Sequence, residues 1–210
     1  MPIGQPKWKV LLIGGPSGVG KTILAKLIGL RFGIPWLEVD DLRLALQRSR
    51  VTLPRDTAVL YFFEETPNVW QLPPEQLCNR LIAVGEVMSP AIEVVVENHV
   101  DTVAPVVIEG DGILPSLFAR PSVRDRASSG QVRAIFLIEP EEEVILANMI
   151  ARGRGMVEQT ATEQRTETRT KWLYGQWLAS EARRYHLAVL EPRPWTTLVE
   201  RIIAASSTPA

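Results

Sequence analysis

The sequence predicts an α/β fold with a five-stranded parallel sheet. Short, continuously apolar runs at 10–13, 106–109 and 132–138 read as strands buried on both faces. Longer stretches of helical periodicity alternate with them, as in chains of strand–helix units. The string GGPSGVGKT, residues 14–22, stands directly between the first strand and the first helix.

The first strand, 10–13, leads into a helix over 21–32 whose expected apolar set is Ile23, Leu24, Leu27, Ile28 and Leu30. Gly33 is a natural stop for it. A second strand is expected over 35–39, ending in Asp40 and Asp41, followed by a short helix at 42–48. Residues 49–73 carry three prolines and the aromatic run Tyr61, Phe62 and Phe63, which lines an acceptor site or packs a cap. Pro74 opens a helix to about residue 88, and Pro90 is expected to break it before a second helix to about 103.

The third strand, 106–109, precedes a short helix at 114–119 and a polar loop at 121–130. After the fourth strand, Glu141, Glu142 and Glu143 suit the positive end of a helix that closes at Arg152 and Gly153. A polar, threonine-rich stretch at 153–167 reads as a lid. A helix over 167–185, a fifth strand at 187–190 and a last helix from about Trp195 complete the chain. The expected organisation is one domain over 1–210, with 42–104 as a helical, acceptor-side insertion.

With 210 residues, 46% hydrophobic and 22% charged, the composition is that of a soluble globular protein. A net charge of −1 argues against nucleic acid as a partner. The single cysteine, Cys78, makes no intrachain disulfide, and it reads as a small core residue. No apolar run reaches the ~18 residues of a membrane span, so no membrane partner and a cytoplasmic location are expected. The helix pair at 74–103 packs on the sheet or on a second subunit, which leaves a homodimer open. His99 and His186 have no metal-ligand partner at suitable spacing.

The glycine-rich string has the form G-x-x-x-x-G-K-T, carried by Gly15, Gly20, Lys21 and Thr22. Backbone N–H groups of such a loop converge at a helix N-terminus, where they bind phosphates. Gly15, Ser17, Gly18, Val19 and Gly20 would form the cradle, Lys21 would meet the β- and γ-phosphates, and Thr22 would hold Mg²⁺. ATP and Mg²⁺ are therefore the expected cofactors.

Three further strings bear on the reaction. VDDLR puts Asp40 and Asp41 at the carboxyl edge of the sheet, where ligands bind in open α/β folds. Asp40 would orient or deprotonate an acceptor hydroxyl, and Arg43 would hold an anionic group. An aspartate helix cap beside a solvated arginine fits the same string. In VVIEGDG, Glu109 suits the metal side and Asp111 the acceptor side, while a polar turn is the plainer alternative. RGRG brings Arg152 and Arg154 to the base of the lid, to neutralise charge in transfer or simply to complement a helix dipole. Arg193, between two prolines after the fifth strand, is a candidate for the nucleotide's base side by analogy alone.

The order of these strings resembles the small-molecule kinases of the P-loop class, which include nucleoside, gluconate, shikimate and adenylylsulfate kinases. IGGPSGVGKTILAKLIGLRFGI and VVIEGDGILPSLF look most similar to the archaeal-type 2-phosphoglycerate kinases, matched at Ile108, Glu109, Gly110 and Pro115. The resemblance implies a P-loop NTPase three-layer sandwich and ATP-dependent phosphoryl transfer to a small-molecule acceptor, with a 2-phosphoglycerate-like acceptor among the candidates. A nucleoside or nucleotide kinase is one alternative. A nucleotide-binding regulatory switch with weak ATPase activity is another.

Overall fold

A computed structural model describes residues 4–49, 55–153 and 155–207. Five parallel strands lie in the order β2-β3-β1-β4-β5. They are β1 (Val10–Gly14), β2 (Trp36–Glu38), β3 (Val106–Gly110), β4 (Val132–Leu137) and β5 (Ala188–Leu190). Alternate side chains of the central strands point to opposite faces. Val10, Leu12, Val106 and Ile108 face one core and Leu11, Ile13 and Val107 the other, so both faces are apolar.

Helices cover each face and make three layers. On one side lie α4 (Pro74–Asp101) and α7 (Ala161–Arg184), which bury Met88, Ile92, Tyr174 and Leu178 against the sheet. On the other lie α1 (Lys21–Phe32) and α8 (Leu198–Ser207), through Leu24, Ile28, Leu198 and Ile202. The inner stripe of α1 is narrower than its sequence implies. Leu24, Ala25 and Ile28 are buried, whereas Ile23, Leu27 and Leu30 are exposed. Gly33 ends α1 in the left-handed conformation, and its N–H caps the Gly29 carbonyl.

Several boundaries differ from the sequence expectation. The second strand stops at Glu38, and α2 (Val39–Arg48) begins at once, so Asp40 and Asp41 occupy its first turn rather than a strand end. Acidic groups there complement the helix dipole. Pro90 does not break α4, which runs unbroken for 28 residues. Fully buried Met88 and Ile92 flank the proline, and this packing offsets the lost backbone bond. The stretch expected as a polar loop after Pro121 is α5 (Pro121–Ser128), with the proline in its first turn.

A helix α6 (Glu142–Arg152) follows β4, and Gly153 closes it at φ 74°. The next long helix starts earlier than the sequence implied, so only the stretch up to Thr160 separates α6 from α7. Thr160 and Glu163 form a reciprocal capping box that fixes that start. Between α2 and α4, 3₁₀ turns at Arg55–Tyr61 and Val69–Gln71 flank a short α3 (Phe62–Glu65). Cys78 is buried, and its burial, aided by Glu75, pushes the thiol up to about 11. Among the described residues no helix is long and apolar enough to cross a membrane.

Candidate active site

The sheet order reverses at β1, with β3 on one side and β4 on the other. Chain crossovers diverge there and leave a crevice at the carboxyl edge. The glycine-rich loop leaves β1 at that point. Gly15 has φ 145°, and a Cβ on it would sit 2.3 Å from the Leu137 carbonyl oxygen, so only glycine fits. Gly20 has φ 87°, and a Cβ there would meet the Trp195 ring at 2.1 Å. The Asn148 amide of α6 donates to the Gly18 carbonyl at 2.9 Å and ties the loop from outside.

Strand register places the carboxylates. Ile13 pairs with Glu109 and Gly14 with Gly110, which sets the end of β3 beside the start of the loop. The Thr22 hydroxyl donates to Glu109 Oε1 at 2.5 Å. Burial raises the Glu109 carboxyl above its ordinary value, although Lys21 and the Thr22 bond pull the other way. A buried carboxylate beside a threonine hydroxyl is a donor set suited to Mg²⁺, which takes one or two protein carboxylates and completes its shell with phosphate and water. Among the described residues no cluster of three or more His, Cys, Asp or Glu could enclose a metal by itself.

Asp111 is the hub of the site. It accepts from Lys21 Nζ at 2.7 Å and from the Ser17 hydroxyl at 2.8 Å, and Lys171 Nζ lies 3.6 Å away. Lys21 also donates to the Pro16 carbonyl at 3.0 Å. Burial alone would raise the Asp111 carboxyl, but the two lysines and its hydrogen bonds outweigh that and hold it well below the usual carboxylate range. The Tyr174 hydroxyl donates to the Asp111 carbonyl at 2.5 Å, and burial together with the Asp111 charge raises that phenol.

Three adjoining cavities connect these groups. One, of about 660 Å³, runs along the loop past Gly18, Gly20, Lys21, Thr22, Arg152 and Trp195. A small junction follows, bordered by Ser17, Lys21, Asp40, Glu109, Asp111 and Arg152. Beyond it a cavity of about 230 Å³ lies under the segment between α2 and α4 and shares Ser17, Asp40 and Asp111 with the junction. Arg43 lines this last cavity, 3.6 Å from Asp40, and donates to Gln47 at 3.0 Å.

Lys21, Thr22, Asp40, Arg43, Glu109, Asp111 and Arg152 thus come together. Asp41 is exposed, one position further along α2. Arg154 lies outside the described residues. The Arg193 guanidinium is committed to the buried Glu139 at 2.7 Å and to Glu141 at 2.8 Å, which raises its pKa. Trp195, two residues on, borders the loop-side cavity in its place. Lys171, Tyr174 and Asn148 were missed by the sequence reading. Lys171 carried a signal: it is a cation on the inward stripe of α7 shared with Thr168, Tyr174 and Leu178.

A G-x-x-x-x-G-K-T loop at the reversal of a parallel 2-3-1-4-5 sheet, with carboxylates at the same edge, is the fold of the P-loop small-molecule kinases. The chain is a distant homologue of 2-phosphoglycerate kinase. It is 30% identical over 153 residues to that enzyme of Methanocaldococcus jannaschii, a match covering 69% of this chain and 46% of the relative. The chain therefore spans about half the length of the curated relative it matches.

Similar solved structures include a gluconokinase from Sinorhizobium meliloti 1021, with TM-score 0.48, 18% identity, and 98% of this chain and 93% of that one covered. A shikimate kinase from Bacteroides thetaiotaomicron gives TM-score 0.49 and 16% identity, covering 93% and 94%. No family model matches the chain.

Proposed function

We propose that the protein transfers the γ-phosphoryl group of ATP, with Mg²⁺, to a hydroxyl of a small acceptor that carries an anionic or polar group. The observation that carries this reading is the junction shared by the loop-side cavity and the cavity beneath the insertion, bordered by Lys21, Asp40, Asp111 and Arg152. A regulatory switch has no need of a second cavity opening onto the phosphate site. A kinase needs it for the acceptor.

In this reading the loop amides and Lys21 hold the phosphates. Thr22 and Glu109 hold Mg²⁺, which when bound draws charge from the phosphate oxygens. Arg152 neutralises charge that spreads over the moving phosphoryl group. Asp111 is a poor base because two lysines keep it ionised. Asp40, exposed and only loosely paired with Arg43, receives the hydroxyl proton. Arg43 meets the acceptor's anionic group. The stretch ahead of α7, expected as a lid, takes part in closing the site.

The test is ADP release with ATP and Mg²⁺ across a panel of acceptors. The relative's name puts 2-phosphoglycerate in that panel, beside hydroxy acids, sugars and nucleosides. The expected outcome is stimulation by one acceptor class, reduced about 10²–10³-fold by Lys21→Ala and strongly by Asp40→Asn. Turnover that no acceptor stimulates, with ATP still bound, would favour a switch.

A further inference from the structure

The cavity beneath the insertion is divided by polarity. Ser17, Asp40 and Asp111 also border the junction, and Arg43 and Lys171 lie against the two aspartates, so the polar groups form one cluster on the P-loop side. The rest of the wall is apolar, chiefly Leu60, Phe63, Trp70, Leu81, Val84 and Met88, apart from Tyr174, whose hydroxyl is bound to the Asp111 carbonyl. Phe63 and Trp70 face each other with ring centroids 5.7 Å apart. Polar atoms of a ligand placed against this wall would lose water with little to replace it.

Charge narrows the ligand further. Arg43 and Lys171 are the cations of the cavity, and each already faces a carboxylate, Asp40 and Asp111 respectively. Arg43 also faces Glu64 at 3.8 Å, and Lys21, the nearer partner of Asp111, turns to the phosphates when ATP is bound, so the polar cluster is close to neutral when an acceptor enters. A phosphate monoester brings a charge of roughly −1.5 to −2, and an added carboxylate brings one more. Such a ligand would leave buried charge uncompensated. A single carboxylate, or an uncharged polar group, would not.

We propose that the acceptor is a small alcohol with a ring-sized or branched apolar body and no more than one negative charge. This rests on the phosphotransfer reading. The body lies against Phe63, Trp70 and Met88, and the hydroxyl lies between Asp40 and Asp111. The hydroxyl oxygen bonds to the γ-phosphorus as the bond from that phosphorus to the ADP oxygen breaks. ADP leaves with that electron pair, and the hydroxyl proton passes to Asp40.

The experiment pairs calorimetric binding with ADP release, both in the presence of Mg²⁺. Binding uses a non-hydrolysable ATP analogue. The probes are 3-phenyllactate, mandelate and 2-hydroxyisocaproate, set against glycerate, 2-phosphoglycerate, gluconate and adenosine. At least one apolar hydroxy acid is expected to bind about tenfold or more tighter than glycerate and to stimulate ADP release. Phe63→Ala and Trp70→Ala should each weaken it about tenfold. Phe63→Leu and Trp70→Phe keep the wall apolar and should retain most of the affinity, which separates a lost wall from a lost fold. Stimulation by 2-phosphoglycerate, gluconate or adenosine with no apolar binding would overturn this proposal and leave the kinase reading intact. Apolar binding without ADP release would uphold the ligand class and overturn phosphotransfer. Failure of every apolar probe to bind would overturn the proposal outright.

Discussion

Two carboxylates two residues apart are driven in opposite directions. Glu109 is buried with one hydroxyl partner and lies above its ordinary 4.5, whereas Asp111 faces two lysines and lies below its ordinary 3.8. Glu109 therefore favours folding while protonated, and that contribution is lost as pH rises through its raised folded value. Glu109→Gln should raise the urea midpoint of the nucleotide-free protein at pH 8, and change it little at pH 4, while reducing Mg²⁺-dependent turnover. Asp111 has the reverse sign: its contribution is present above the ordinary value and lost as pH falls toward the folded one. Asp111→Asn should cost stability at pH 7, towards the lower end of about 3–5 kcal/mol because the side chain keeps some exposure. The same variant should flatten the acid limb of a stability–pH profile below about pH 4. An unchanged midpoint at pH 7 would mean that Lys21 and Lys171 find other partners.

At the scale of elements, the long helices were read well and their ends less so. The start of α1 was legible because the glycine run and Gly33 bracket it. The start of α7 was not, because a threonine- and glutamate-rich stretch reads equally as lid or helix, and the Thr160–Glu163 capping box decides it. Thr160→Ala should cost about 0.5–2 kcal/mol and speed amide exchange over the first turn of α7. Exchange of the Lys171 amide, three turns further on, should be unaffected. Pro90 misled because a proline's local cost is visible in sequence, while the burial on either side of it is not. The ion pair of Arg193 was equally illegible, since its partner Glu139 stands 54 positions away.

For the whole molecule, the glycine-rich loop, the segment between α2 and α4 and the two helical layers meet at one edge of the sheet. A ligand held there should stabilise the folded chain as a unit. An ATP analogue with Mg²⁺ at one hundred times its dissociation constant should add about 2.7 kcal/mol to the unfolding free energy. Lys21→Ala should abolish most of that gain, read as the shift in thermal midpoint with and without ligand.

The glycine-rich loop between β1 and α1 was legible in sequence alone, because its signature is local: closely spaced glycines, one lysine and one threonine between a strand and a helix. The parallel sheet followed from alternation of apolar strands with helices. Tertiary structure decided the rest of the site. Strand register brought Glu109 to Thr22, the inward face of α7 carried Lys171 and Tyr174 to Asp111, and the segment between α2 and α4 placed Phe63 and Trp70 on the wall of the adjoining cavity. Those contacts join residues tens of positions apart, and no local pattern encodes a distance that only packing sets.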